Sequence, residues 1–455
     1  MIYNTSVRIG NLIENAQALE ILERNIPGFA RMTANPQALT LSVEQLIKYT
    51  RIPGGDKLLE KLNSELDTLN TKENAISPSE AKLIEVFKQI DLEDKKKCSG
   101  KTDHTQSSIE PGKPWLDTTG KRIQAHGGAV IYEDGLYYWY GENKEHTDGK
   151  NGIWTWGLKL YSSSDLCNWT DRGYLIPPVL DDPNSALFPT KRVDRPHILK
   201  CPSTGKYVCW IKLSGSEAAF TIWEAENLCG PYKMVENLYN PGNHKIGDFD
   251  LVCDSTSGRA FIYFDADHEC MLCMELEKDF LHAEKEVCRN YPNLTPPFTR
   301  EGPALFEKDG KKYMFTSGMT GYVPNRSDSA VSENWDSLFE SLGNPHLEDA
   351  SDASFNSQIS KVFKVESTGE FIAMADRWLP DTPVDARLSD VITRAIASNY
   401  MPDKFSATDE EKKEMLSVQK LETADTSVSD YVWLPVSWED GRPVIRWKDS
   451  WTPSV

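Results

Sequence analysis

Residues 300–318 read REGPALFEKDGKKYMFTSG. A carboxylate, Glu301, heads a strand beside Gly-Pro, and that strand runs to a turn glycine, Gly310, before an aromatic-bearing strand returns. One glutamate so placed means nothing alone, but the unit recurs. A turn glycine followed by an aromatic-rich strand appears in DGLYYWYG (134–141), TGKYVCW (204–210), SGRAFIYF (257–264), DGKKYMFTSG (309–318) and TGEFIAMADRW (368–378). The glycines are Gly135, Gly205, Gly258, Gly310 and Gly369, spaced 70, 53, 52 and 59 residues apart, the scale of one four-stranded sheet with its loops. Repetition at this period without helices between the units predicts a mainly β fold, a five-bladed β-propeller, over residues 115–455. The segment YVWLPVSWEDGRPVIRW (431–447) holds two more strands to complete the ring. A two-sheet sandwich is the alternative, although its strand-to-strand units are usually shorter.

The first 95 residues differ in kind. They contain no tryptophan and carry helix starts: Ser42-Val43-Glu44-Gln45 is a capping-box pattern, and Ser77-Pro78-Ser79-Glu80 adds proline at the first helical position. Pro27-Gly28 and Pro53-Gly54 separate the helices. Residues 1–95 therefore read as a small N-terminal all-α domain. It is either a passive appendage or a device for dimerisation or substrate gating, and a homo-oligomer built through it is compatible with the chain. Residues 96–114, KKCSGKTDHTQSSIEPGKP, are polar and turn-rich and read as a linker.

Bulk properties exclude several partners. A net charge of −19 argues against nucleic acid, whose phosphates need a basic surface. No segment approaches membrane-spanning length. The start, MIYNTSVRIGNLIENAQ, lacks the basic and apolar regions of a signal peptide, so a cytoplasmic setting is expected, or a secreted one if a leader precedes the chain. The nine cysteines are odd in number, and the Cys270–Cys273 pair falls inside a strand with no second pair, which favours structural thiols over zinc. Thirteen Trp and 17 Tyr fit either large β-sheet cores or carbohydrate stacking.

Nine to eleven residues before each turn glycine stands a polar side chain: His126 in QAHGG, Asp194 in RVDRPHIL, Asp248 in KIGDFDLV, Glu301 in TREGPALF and Gln358 in FNSQISKVF. The innermost strand of each blade lines a propeller's central channel, so these five side chains converge on one axis. They form either a hydrogen-bonded structural plug or a reactive cleft. Gathered carboxylates repel, and at least one acquires a raised pKa. A carboxyl kept protonated in this way can donate to a leaving oxygen. Carboxylates around an aromatic pocket are the equipment of glycosidic bond cleavage, which by inversion needs an acid on one face and an activated water on the other.

REGPALF, GDFDLV and the five-unit plan resemble glycoside hydrolase family 43. QAHGG, YYWYGENK (137–144), DRPHIL, TSGMTGYVPN (316–325), FNSQ, ADRW and VIRWKDSW (444–451) resemble its exo-β-1,3-galactanase subfamily. The likeness spans residues 115–452. It implies a carbohydrate-cleaving enzyme releasing galactose by inversion, with β-1,3-galactan or galacto-oligosaccharide as substrate and no cofactor. By the resemblance Glu301 is the general acid, and Asp248, with Asp250 as its rival two residues on, is the carboxylate that tunes and orients it. Gln358 stands where the wider family places an aspartate base, and the galactanase-like members use glutamine there to position water. Asp194 stands where the resemblance implies glutamate before Arg-Pro, and is the carboxylate alternative for serving the water. One methylene less could move a contact by about an ångström, a displacement that can cost ~100-fold.

Other residues have two readings each. Glu142 holds sugar hydroxyls or a strand-end salt bridge; Thr320 and Tyr322 shape the pocket wall. Asp376, Arg377 and Trp378 are a substrate clamp or a structural pair, and His126 touches substrate, water or an ion unless it is simply satisfied in the channel. A structural calcium ion is compatible with the chain, although no Asp-rich loop supports one. The competing functional readings are an α-L-arabinofuranosidase or β-xylosidase of the same family, against which Gln358 argues, and a non-catalytic sugar-binding propeller.

Overall fold

A computed structural model describes residues 3–455 apart from 6, 8, 14, 27, 34–35, 40, 51, 53, 71–75, 97–102, 216 and 420–422. The chain divides into two compact units, residues 1–93 with 181–184, and residues 94–180 with 185–455.

The first unit is helical: α1 (Ile9–Leu12), α2 (Ala16–Asn25), α3 (Phe29–Met32), α4 (Pro36–Leu39), α5 (Val43–Thr50), α6 (Gly55–Asn70) and the start of α7 (Pro78–Lys96). Both sequence capping boxes form. Ser42 Oγ accepts from Gln45 N at 3.1 Å while Gln45 Oε1 accepts from Ser42 N at 2.9 Å, and Ser77 and Glu80 repeat the exchange before α7. Leu22, Phe29, Val43, Leu62 and Leu66 close a small apolar core.

The second unit is a five-bladed propeller. Blade 1 comprises β1 (His126–Glu133), β2 (Leu136–Glu142), β3 (Leu158–Ser163) and β4 (Thr170–Ile176). Blade 2 is β5 (Val193–Lys200), β6 (Tyr207–Leu213), β7 (Ala219–Ala225) and β8 (Lys233–Tyr239); blade 3 is β9 (Ile246–Cys253), β10 (Ala260–Ala266), β11 (Cys270–Leu276) and β12 (Ala283–Asn290). Blade 4 is β13 (Glu301–Lys308), β14 (Lys311–Ser317), β15 (Asp328–Ser332) and β16 (Glu340–Gly343). Blade 5 orders β18 (Gln358–Lys364), β19 (Phe371–Arg377), β20 (Asp430–Glu439) and β21 (Arg442–Arg446) outward, with the short β17 (His346–Leu347) added in parallel at its edge. The innermost strands β1, β5, β9, β13 and β18 touch in a closed ring.

The period-2 alternation of strands explains the near-continuous apolar runs. In FIYF, Phe261 and Tyr263 pack toward blade 4 while Ile262 and Phe264 pack toward blade 2, so both faces are buried. Every blade-to-blade gap has its own core. The seam between blades 5 and 1 is filled by tryptophan: Trp139 and Trp433 lie 4.5 Å apart between centroids, and Trp115 lies 5.0 Å from Trp433. Most of the aromatic content is therefore core rather than binding surface.

Two expectations change. Residues 97–102 of the expected linker lie outside the described residues, but from His104 the chain is docked: Gln106 N donates to Asn168 Oδ1 at 2.8 Å, Ile109 is buried and bridged to Trp451, and Gly112 N donates to Tyr431 O at 2.7 Å. Helices also interrupt the repeat. α8 (Ala386–Tyr400) and α9 (Asp409–Val418) lie between β19 and β20, started by Asp385 and by a capping box of Thr408 and Glu411. Their apolar faces gather Ile392, Ala395 and Met415 around Val323, bracing the loop that follows β14. Among the described residues, no helix is long and apolar enough to cross a membrane.

Candidate active site

The innermost strands begin at one end of the channel, and their first residues carry the site. Three start with the same irregularity. Pairing shifts after His126, Asp194 and Glu301, and the next residue takes a left-handed φ: Gly127 at 61°, Arg195 at 48° and Gly302 at 59°. Such a bulge re-aims the side chain beside it. Glycine adopts this conformation freely, and at Gly302 an added Cβ would also come within 3.2 Å of Gln358 Nε2 and Arg195 Nη2. Arg195 holds it against a steric cost of order 1 kcal/mol.

Arg195 is the hub. Its Nε lies 2.8 Å from Asp248 Oδ2, and its Nη2 donates to Gln358 Oε1 at 2.7 Å. Its backbone N donates to Glu142 Oε1 at 2.8 Å, and its Nη1 is buried without a protein partner. The amide of Gln358 is thereby oriented, because its Nε2 donates to Ser317 Oγ at 2.8 Å, across from Glu301 in the β13–β14 ladder. Lys212, opposite Asp194 in the β5–β6 ladder, reaches Asp248 Oδ1 and lies 3.8 Å from Asp194 Oδ2. Asp194 also accepts from Trp154 Nε1 at 2.8 Å and from Ser214 Oγ.

Two carboxyls in this cluster are driven in opposite directions. Burial, then the negative charges of Asp248 and Asp265, push Glu301 well above the ordinary carboxylate range, against Lys212 and Arg195. Burial opposes ionisation of Asp248 too, but Arg195 and Lys212 outweigh it and hold that carboxyl at about 2. One group stays a proton donor while its neighbour stays an anion, the division of labour that acid catalysis at a leaving oxygen requires.

Asp250, the rival to Asp248, faces a different environment. Two residues further along β9, about 7 Å deeper, it is fully buried, accepts from Leu305 N at 2.7 Å and pairs with Lys361 Nζ at 2.5 Å. It ties blades 3, 4 and 5 together. Glu142 is also buried. Burial pushes its carboxyl up to about 7, against Lys144, whose Nζ lies 2.7 Å from Oε2.

The remaining sequence candidates divide. His126 is fully buried, with Nδ1 2.9 Å from Asp376 Oδ1, Nε2 3.2 Å from Tyr431 Oη, and its ring stacked on Tyr431 at 4.6 Å. Asp376 also accepts from Gly127 N at 3.0 Å, and across the β18–β19 ladder it is opposite Gln358. Arg377, the next residue, points to the other face of β19 and donates to Phe355 O and Asn356 O, so alternation along the strand takes it out of the cleft. Thr320 is buried within its own loop, donating to Val323 O at 2.6 Å and accepting from Asn325. Tyr322 and Trp378 reach the cleft and form an aromatic wall with Trp154. Tyr322 lies 6.1 Å from Trp154 and 5.3 Å from Trp378 between centroids.

Tyr322 lines two separate hollows. On the side of Gln358, Asp376 and Trp378 the free volume is about 10 Å³, room for one water; on the side of Trp154, Arg192 and Thr426 it is about 250 Å³. Arg195, Lys212, Ser317, Trp154 and Asp265 escaped the sequence reading. Arg195 had a signal, since it stands where two other blades place glycine. The others come from second strands and loops with no periodic mark. Among the described residues, no group of three or more His, Cys, Asp or Glu side chains is arranged to hold a metal ion.

Comparison with known proteins places this architecture. The sequence profile of Glycosyl hydrolases family 43 matches residues 124–348. A solved GH43 β-1,3-galactosidase is 26% identical, with a TM-score of 0.60 over 77% of this chain; the match spans 64% of that longer chain. A second GH43 β-1,3-galactosidase, solved with galactodeoxynojirimycin, is 24% identical over 75% of this chain and 99% of its own, again at 0.60. An exo-β-1,3-galactanase from Phanerochaete chrysosporium, solved with β-1,3-galactotriose, shares the fold at 20% identity and a TM-score of 0.60, covering 76% of this chain and 69% of that one. No match is found among curated proteins. Through its propeller, the chain is similar to family 43 of the glycosyl hydrolases.

Proposed function

We propose that this chain is an inverting, exo-acting glycoside hydrolase that releases galactose from the non-reducing ends of β-1,3-galactan or its oligosaccharides. The observation that carries the reading is geometric: Arg195 joins Asp248, at 2.8 Å, to a fixed Gln358, at 2.7 Å, beside Glu301, whose carboxyl burial and neighbouring anions push up while Arg195 and Lys212 hold Asp248 low. Glu301 gives its proton to the glycosidic oxygen as the bond to the anomeric carbon breaks. Water oriented by Gln358 attacks the opposite face and releases its proton to surrounding water, from which Glu301 is reprotonated, so a β-linked substrate yields α-galactose. The likeness to β-1,3-galactosidases supports the choice of sugar and linkage.

Purified protein incubated with β-1,3-galactobiose should release galactose, and proton NMR in the first minutes should show the α-anomer appearing before mutarotation. β-Galactose first would exclude inversion. Cleavage of an aryl arabinoside or xyloside in place of galactobiose would move the assignment to another activity of the family. Binding without turnover would make the propeller a lectin-like module.

The water-side residue has its own test. Gln358→Ala should lower kcat about a hundredfold or more, with a smaller loss for Asp194→Ala. The reverse ranking would assign the water to Asp194, whose carboxylate is held by Trp154 and Ser214 within the same cleft.

A further inference from the structure

The residue at the centre of the cleft is a cation, and nothing in the reaction scheme above requires it to be arginine rather than lysine. Three features single it out. First, Arg195 occupies the bulge position that Gly127 and Gly302 fill in two other blades, and it keeps a left-handed φ of 48° that an L side chain resists. A strained non-glycine residue at a site is retained where its side chain is needed. Second, the guanidinium is buried and spans two partners with different nitrogens, Nε toward Asp248 Oδ2 at 2.8 Å and Nη2 toward Gln358 Oε1 at 2.7 Å. Third, these partners stand on opposite sides of the chemistry, the acid's neighbour on blade 3 and the water-holding amide on blade 5.

We infer that Arg195 is the positioning residue that locks the acid side of the cleft to its water side, using the two-pronged geometry of guanidinium. Lysine carries its donors on one nitrogen and lacks the planar fork with which Arg195 meets the two partners through different nitrogens. Held from one end by Arg195 and from the other by Ser317, the Gln358 amide has a single orientation, with its oxygen toward the cation and its nitrogen toward Ser317. The same guanidinium, with Lys212, keeps Asp248 ionised beside Glu301. What Glu301 and Gln358 do chemically rests on the galactosidase reading; the coupling of Asp248 to Gln358 through Arg195 rests on geometry alone.

Two variants separate this role from a structural one. Arg195→Gly suits the left-handed backbone, preserves the backbone N–H to Glu142, and should fold with a lower thermal midpoint than the wild type, because Asp248 loses a buried partner. It should lose a hundredfold or more in kcat on β-1,3-galactobiose. The acid limb of its pH profile should move up by about one unit, because Asp248 loses a cation that holds it ionised. Guanidinium ion at tens of millimolar should restore part of the loss. Arg195→Lys should return the acid limb toward the wild-type position while kcat stays at least tenfold low, since Gln358 remains without its donor.

Wild-type kcat and pH dependence in a folded Arg195→Gly would overturn the inference, and so would full activity in Arg195→Lys. Two readouts need no turnover. Stability against acid should begin to fall at higher pH in Arg195→Gly than in wild type, and a crystal structure of Arg195→Lys should show the Gln358 amide turned away from its Ser317-bonded orientation. If the wild type fails to cleave galactobiose, the proposed substrate falls, while these two measurements still decide whether Arg195 holds both partners.

Discussion

Replacing Glu301 by Gln lowers kcat on β-1,3-galactobiose by a factor of about 10²–10⁴, the usual contribution of a positioned general acid. The amide matches the protonated carboxyl in size and charge but cannot give up a proton to the leaving oxygen. Burial and the neighbouring anions already keep Glu301 in its protonated form, so the exchange introduces no new buried charge and folding stability should be preserved. The loss depends on the leaving group. A galactoside of an acidic phenol departs without protonation, and on that substrate Glu301→Gln should retain most of its turnover. Steady-state kinetics on the two substrates check both halves. Wild-type turnover of galactobiose by the folded variant would remove Glu301 from the acid role.

Asp248→Asn should be the most damaging change to both rate and stability. In the wild type, Asp248 is the shared anion between Arg195 and Lys212. Removing one partner of a buried ion cluster leaves cations uncompensated, at a cost of about 3–5 kcal/mol. The activity should shift with pH as well. The Asp248 anion helps keep Glu301 protonated, so without it the Glu301 carboxyl falls and the basic limb of kcat/KM moves to lower pH. The wild type makes the complementary statement about acid. The folded carboxyl of Asp248 sits at about 2 against an ordinary 3.8, a depressed value. Its stabilisation, on the order of 2 kcal/mol, is present above pH about 4 and is lost as pH falls from there toward about 2. Thermal melts across pH 2–7 on wild type and Asp248→Asn should differ least at the acid end. A constant difference across that range would show that Asp248 is not the group held ionised.

Several features of the molecule are legible in the chain and several are not, and the division follows spacing. The five turn glycines and the polar residue ahead of each mark the innermost strand of every blade, because those strands repeat one local geometry. Hence Asp248, Glu301 and Gln358 could be found by counting, and the structure brings them to one cleft. The choice between Asp248 and Asp250 could not be made by counting, since both lie on the same face of β9; depth along the channel decides it, through Leu305 and Lys361. For Arg377 the strand alternation decides between clamp and structural residue. Arg377 is adjacent to Asp376 in sequence, but neighbours on a strand face opposite sides. The helices α8 and α9 carry no mark of the repeat, because they are an insertion between two neighbouring strands of one blade.

The sequence by itself determined the propeller, the number of blades and the ring of polar strand heads, because strand alternation, turn chemistry and repeat length are local properties that survive without knowledge of neighbours. Only the tertiary structure decided which of those heads is a proton donor and which an anion. That outcome depends on burial and on charges arriving from other blades, from Arg195, Lys212 and Asp265, each within a few ångströms in space and tens of residues away in the chain, and electrostatic energy is set by distance and desolvation rather than by order along a polypeptide.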